Sequence, residues 1–299
     1  MGSPKRIVIC GGGAIGAAIA YFVSLRGASP IVIERHEVGG AASGKSGGFL
    51  ALDWCQGSPL DRLARRSFAL HAQLSSDLGD PWGYRRLTTY SGYAAADDTA
   101  RGKGGRPWLS AGITITGQLG SAASTAVIEP RGFTTGFMRA ARVRGAVLRN
   151  STVVDLVRWE SGAVRGVALA GGEIVEGDAV VIAMGPWSIL AARWLPLPAV
   201  LGYKGHSPVF ETGGAIPAEA LFLEYREASG EILTGPPSSP IRVRQWRHIN
   251  GRASAGGLIT ALGCDNRIAS EGALEFSLNE VPIGISHQAC GGSAPRRLT

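Results

Sequence analysis

The sequence has little charge and little that could hold a metal. Only 18% of its 299 residues are Asp, Glu, Lys or Arg, against 45% hydrophobic. That balance excludes a charge-rich disordered chain and predicts a packed core. The four cysteines, Cys10, Cys55, Cys264 and Cys290, form no C-x-x-C pair, and no histidine pair has zinc spacing. A disulfide scaffold and a structural zinc site are therefore not expected, and a reducing, cytoplasmic setting is. No apolar run reaches the ~18 residues of a membrane-spanning helix. No Lys/Arg block exceeds three residues, so the net charge of +7 reads as a basic soluble surface and not as a nucleic-acid face. The N-terminus is expected to enter a strand within six residues, which leaves no room for a cleaved leader.

What the chain has in excess is glycine, 44 of 299 residues, roughly twice ordinary usage. Two glycine-rich loops near the N-terminus carry the functional reading. In "KRIVICGGGAIGAAIAYFVSLRGASPIVIERHE", Ile7 to Cys10 is a short apolar run, read as a buried parallel strand. Gly11, Gly13 and Gly16 follow as G-x-G-x-x-G, and Ala14 to Leu25 reads as a helix stopped by Gly27. Ile31 to Ile33 forms a second strand with Glu34 at its end, 18 residues after Gly16. Each glycine has a task. Gly11 permits the turn, Gly13 lets a pyrophosphate approach the backbone, and Gly16 lets the helix lie on the strand. The start of that helix, with Ala14 and Ile15, offers free N–H groups and a positive dipole end. Glu34 can accept both ribose hydroxyls and disfavours a 2′-phosphate. Bracketed in this way, the motif predicts dinucleotide binding.

The second loop, "GGAASGKSGG", residues 39–48, matches G-x-x-x-x-G-K-[ST] through Gly39, Gly44, Lys45 and Ser46. A nucleotide triphosphatase needs a strand feeding that loop and a helix starting at its Lys-Ser. Here polar Arg35-His36-Glu37 precede it, Gly47-Gly48 follow at once, and Asp155 lies mid-strand where a Walker-B partner would be sought. The phosphate-loop spacing is therefore read as a coincidence.

The two loops together resemble FAD-dependent oxidoreductases of the D-amino-acid-oxidase superfamily, in which an A-S-x-x-S-G-G loop follows the ribose-binding Glu. Ala42, Ser43, Ser46, Gly47 and Gly48 match it. The resemblance implies an α/β fold: a Rossmann-like, discontinuous FAD-binding domain and a mixed α+β substrate domain. It sets the FAD domain at 1–57 and 124–196, the substrate domain at 58–123 and 197–236, and an irregular tail at 237–299. It adds Arg35 beside Glu34, Val154 meeting the adenine through its backbone, and the small-residue turn Ala183, Gly185 and Trp187 toward the flavin side. Trp187 could equally serve packing, and Arg131 a salt bridge in place of a catalytic role. Lys204 and His206 alternate on one expected strand and could face a cavity or solvent. Ser58-Pro59 is read as the cap of a helix bearing Leu60, Leu63, Leu70, Leu74 and Leu78.

The activity implied is FAD-dependent oxidation of a C–N bond in a small-molecule amine or amino acid, with no membrane span and no nucleic acid involved. The resemblance is expected to end near residue 233. An incomplete substrate domain would favour self-association and a catalytically impaired isoform. A nicotinamide-dependent dehydrogenase shares only the first forty residues.

Overall fold

The computed structural model describes residues 6–95, 106, 108–109, 112–197, 200, 217–226 and 232–233. In chain order the elements begin with β1 (Ile7–Cys10), α1 (Ala14–Ser24), β2 (Ile31–Glu34), β3 (Phe49–Ala51), α2 (Asp61–Asp77) and β4 (Arg85–Arg86). There follow β5 (Thr88–Ala95), β6 (Ile113–Gly120), β7 (Thr125–Val127), α3 (Pro130–Val143), β8 (Val147–Asn150) and β9 (Val153–Arg158). The last are β10 (Val164–Leu169), β11 (Ile174–Glu176), β12 (Ala179–Ile182), β13 (Glu219–Arg226) and β14 (Ile232–Leu233).

The described residues group into two compact units, one drawn from 1–86 and 124–202, the other from 87–123 and 203–299. The larger unit is built on a parallel sheet in the order β12-β1-β2-β8. Strand alternation explains its two faces. Ile9 and Val32 point to one side, where α1 and α3 pack through Ala17, Ala20, Tyr21, Phe137, Met138 and Ala141. Val8, Cys10 and Ile33 point to the other, against Val167, Leu169 and Val175 of the antiparallel sheet β11-β10-β9. Each fully buried Val, Ile, Leu, Phe or Met among them contributes about 1.5–3 kcal/mol. Burial pushes the Cys10 thiol up to about 12, so it is an inert small hydrophobe. Trp82 and Phe137 stack at 5.5 Å and Tyr21 meets Phe137 edge-on at 5.2 Å, which adds geometry to area.

The compact units divide at 86/87, whereas the resemblance set a domain boundary at 57/58. Helix α2 belongs to the larger unit because Leu74 is buried in the α1–α3 core, with Leu70 and Leu78 packed against it. The helix also starts later than Ser58-Pro59 implies, at Asp61. Ser58 is spent on a turn: its hydroxyl accepts from the Leu60 N–H at 3.2 Å and its own N–H donates to Cys55 O. Leu60 and Leu63 of the expected apolar stripe stay exposed at 58% and 66%.

In the smaller unit, β14-β13-β5-β6 form a sheet, with β13 parallel to β5 and β6 antiparallel to it. Glu219 on β13 accepts from Trp108 Nε1 at 2.8 Å and pairs with Arg106, whose guanidinium lies 4.0 Å from the Tyr90 ring centroid. Lys204, His206, Cys264, Cys290 and the tail at 237–299 lie outside the described residues.

Candidate cofactor site

The site lies at the carboxyl edge of the parallel sheet, where β1, β2 and β12 end together. Strand β1 has β2 on one side and β12 on the other. A crevice at such a switch point is where open α/β sheets bind ligands. Gly11 takes φ +110, and a Cβ there would sit 2.4 Å from Ala183 O. Gly11 therefore serves both the turn and the close passage of the segment after β12. Gly16 lets α1 lie on β1, since its Cβ would come 1.9 Å from Gly11 O.

Gly13 caps α1 without a side chain to do so. The cap comes from the second loop: Ser43 Oγ accepts from the Ala14 N–H at 2.9 Å. The Gly39 N–H also donates to Gly12 O at 3.1 Å. The two glycine-rich loops are thus one structure. Among the described residues the N–H groups of Gly13, Ile15 and Gly16 find no acceptor, as the first turn of a helix requires. They stand at the positive end of the α1 dipole, beside an Ile15 side chain that is 67% exposed. Orphan donors next to a bare apolar side chain suit the pyrophosphate and riboside of a dinucleotide.

Glu34 is fixed at the end of β2. Its Oε2 accepts from the Gly12 N–H at 2.7 Å and its Oε1 from the His36 N–H at 3.0 Å. A carboxylate has about four acceptor positions, so two remain for ribose hydroxyls. Sequence reasoning passed over Gly12. The signal was there in the run Gly11-Gly12-Gly13, because a Cβ at Gly12 would lie 3.1 Å from Glu34 Cβ.

The remaining candidates divide. Ala42 and Gly47 lie exposed on the second loop. Ser46 Oγ contacts Ser43 O at 3.4 Å. Gly48 answers to packing: at φ +67 its Cβ would strike Ile128 O at 2.1 Å, and its carbonyl accepts from the Ile128 N–H. Lys45 ends a 3-10 turn, Ala42–Lys45, and Ser46 is extended, so no helix starts there. Val154 lies in β9 between Val153, paired with Leu169, and Asp155, paired with Ala168. It has no partner of its own in the ladder, so this bulge leaves backbone groups outside it. Ala183 is tied to β1 by its N–H to Cys10 O at 2.9 Å, and Gly185 takes φ +56. The Arg35 guanidinium lies over the Trp187 ring at 4.3 Å. Arg131 pairs with Glu37 at 2.6 Å, bracing the segment that enters the second loop against α3.

A family model described as FAD dependent oxidoreductase matches residues 6–257. The chain belongs to this family of FAD-dependent oxidoreductases. The match runs past residue 233, where the resemblance was expected to end. A Schizosaccharomyces pombe chain named "Putative oxidoreductase" is 27% identical over 262 residues, covering 78% of this chain and 67% of that one. The 4-methylaminobutanoate oxidase (formaldehyde-forming) of Paenarthrobacter nicotinovorans is 25% identical over 303 residues, covering 86% of this chain and 36% of the oxidase. The crystal structure of glycine oxidase from Bacillus cereus superposes with a TM-score of 0.58 at 23% identity, covering 75% of this chain and 66% of that one. That likeness is one of fold. The chain spans about two thirds of the fission-yeast protein and of the glycine oxidase, and about a third of the 4-methylaminobutanoate oxidase. FAD is the family's cofactor, and the donors at the carboxyl edge of β1 fit it. Among the described residues no cluster of His, Cys, Asp and Glu is suited to a metal ion, and no helix is long and apolar enough to cross a membrane.

Proposed function

We propose that this protein oxidises the C–N bond of a small-molecule amine or amino acid with FAD as its cofactor. The observation that carries the reading is the joined pair of loops, Ser43 bonded to the start of α1 beside a Glu34 whose carboxylate is held by two backbone amides. Family membership and the names of two relatives, a glycine oxidase and a 4-methylaminobutanoate oxidase, support the substrate class.

In this reading Gly11, Gly13 and Gly16 make room, and the N–H groups of Gly13, Ile15 and Gly16 bind the pyrophosphate, with Ala14 at the first turn. Glu34 holds the adenosine ribose and Arg35 its rim. Ala42, Ser43, Ser46, Gly47 and Gly48 flank the middle of the cofactor. Val154 offers backbone to the adenine, and Ala183, Gly185 and Trp187 close the β12 side. When bound, FAD supplies the hydride acceptor for the carbon beside the substrate nitrogen. The protein's part is to bind, orient and exclude water, and the smaller unit is the candidate substrate domain.

The test begins with protein loaded with FAD and freed of excess. Bands near about 370 and 450 nm report the bound cofactor. Amines, N-methylated amines and D- and L-amino acids are then added without oxygen. Bleaching of the longer-wavelength band by a member of this panel is the expected result. Loaded protein that none of them reduces overturns the substrate class, and protein that takes up no FAD overturns the whole reading.

A further inference from the structure

Arg35 follows β2 and Trp187 follows β12, strands on opposite sides of β1. The Arg35 guanidinium nevertheless lies 4.3 Å from the Trp187 ring centroid. The contact therefore spans the carboxyl edge of β1, where the glycine turn leads into α1. Both side chains are half-buried. Each is mounted on a fixed backbone: Trp187 donates its N–H to Met184 O at 3.1 Å, and Arg35 lies between Glu34 and His36, which are joined by the Oε1 contact at 3.0 Å.

We propose that Trp187 is a positioning residue for the adenosine half of the cofactor, its ring holding Arg35 in place beside Glu34 before the cofactor arrives. This rests on the FAD-binding reading of the same edge. It departs from the family resemblance, which sets Trp187 toward the flavin side. The reason is the partner: Arg35 adjoins the residue that holds the ribose. An arginine side chain gives up much rotamer freedom when a ligand orders it. Held on an aromatic face beforehand, it has that cost already met within the free protein. A contact of this kind corresponds to about three- to ten-fold in an equilibrium constant.

The experiment compares ADP, which carries adenosine and pyrophosphate without flavin, with FAD. Binding of each is measured by calorimetry for the wild type, Trp187→Leu, Trp187→Phe, Arg35→Gln and the Arg35→Gln/Trp187→Leu double variant. Trp187→Leu is expected to weaken ADP and FAD by the same factor, about three- to ten-fold. Trp187→Phe keeps an aromatic face and stays near wild type. The double variant binds no worse than Arg35→Gln alone, because the tryptophan acts through the arginine. Weaker FAD with unchanged ADP would assign Trp187 to the flavin and overturn the proposal. Unchanged binding of both ligands also overturns it, while leaving the cofactor reading intact. A wild type that binds neither ligand removes the cofactor reading and this proposal with it. If Trp187→Leu does not fold, Arg35→Gln decides: equal weakening of the two ligands supports the proposal, and none refutes it.

Discussion

Replacing Glu34 tests the site at its most constrained side chain. Its two carboxylate oxygens accept from Gly12 N–H at 2.7 Å and His36 N–H at 3.0 Å. The backbone around it is equally tied, with Gly11 N–H to Ile33 O at 2.8 Å and Ser151 N–H to Glu34 O at 3.0 Å. Glu34→Ala removes the proposed ribose acceptor and leaves the buried Gly12 N–H without its partner. A hydrogen bond to a charged group is worth about 1.5–3 kcal/mol. A total loss of about 2–3 kcal/mol in binding corresponds to a Kd raised roughly 30- to 150-fold. The free protein should lose a further ~1–2 kcal/mol of stability through the orphaned amide. Glu34→Gln should be no milder. Its amide NH2 must face one of two backbone donors, so one contact turns repulsive. The assay is quenching of FAD fluorescence by titrated apoprotein, with thermal melting of the same samples. FAD affinity within about two-fold of wild type in a folded Glu34→Ala, well under 1.4 kcal/mol, would refute the ribose role. A Glu34→Gln that behaves as wild type would refute the two-donor geometry.

Gly16→Ala would place a Cβ 1.9 Å from Gly11 O and 3.3 Å from Ile9 Cγ2, so α1 must lift from β1; a loss of about 1–3 kcal/mol and of FAD binding is expected, and an unchanged melting temperature would refute it. The Arg6 and Arg165 guanidiniums hold the Glu176 carboxyl below its ordinary value of 4.5, so this group's contribution to stability is complete above that pH and is lost as the pH falls through its lower folded-state value. Glu176→Gln should therefore flatten the acid limb of a urea-midpoint profile below about pH 4.5, and an acid limb as steep as the wild type's would sink the assignment.

The parts of the fold legible in the sequence are those whose periodicity is local. Ile7 to Cys10, the glycine turn and Ile31 to Glu34 carry their structure in adjacent residues, and β1, α1 and β2 form within one residue of those bounds. Helix α2 shows the limit. Its apolar spacing shows that one face is buried but not against what, and Leu74 joins the core of the larger unit while Leu63 stays in solvent. The contacts that build the site are less legible still. Ser43 and Ala14 are 29 positions apart and Gly12 and Glu34 are 22 apart; Arg35 reaches across β1 to Trp187. Composition signals a surplus of such loops but not which of them meet.

The loop at 39–48 shows how one spacing can serve another end. A phosphate loop spaces its glycines so that backbone amides surround a phosphate. Here Gly39 has φ +69, and a Cβ on Gly44 would lie 2.0 Å from Gly39 O and 3.3 Å from Arg131 Cβ. The glycines are five apart because the loop closes on itself and against α3. Closure turns Ser43 toward α1, where its hydroxyl completes a cap that Gly13 cannot provide. Gly13 in turn tolerates no ordinary side chain without crowding that hydroxyl, since its Cβ would stand 3.0 Å from Ser43 Oγ. In the proposed site, the first loop gives up a side chain where the cofactor would come close. The second supplies the missing cap from the side and leaves the Gly13, Ile15 and Gly16 amides open, as the proposed cofactor contact needs.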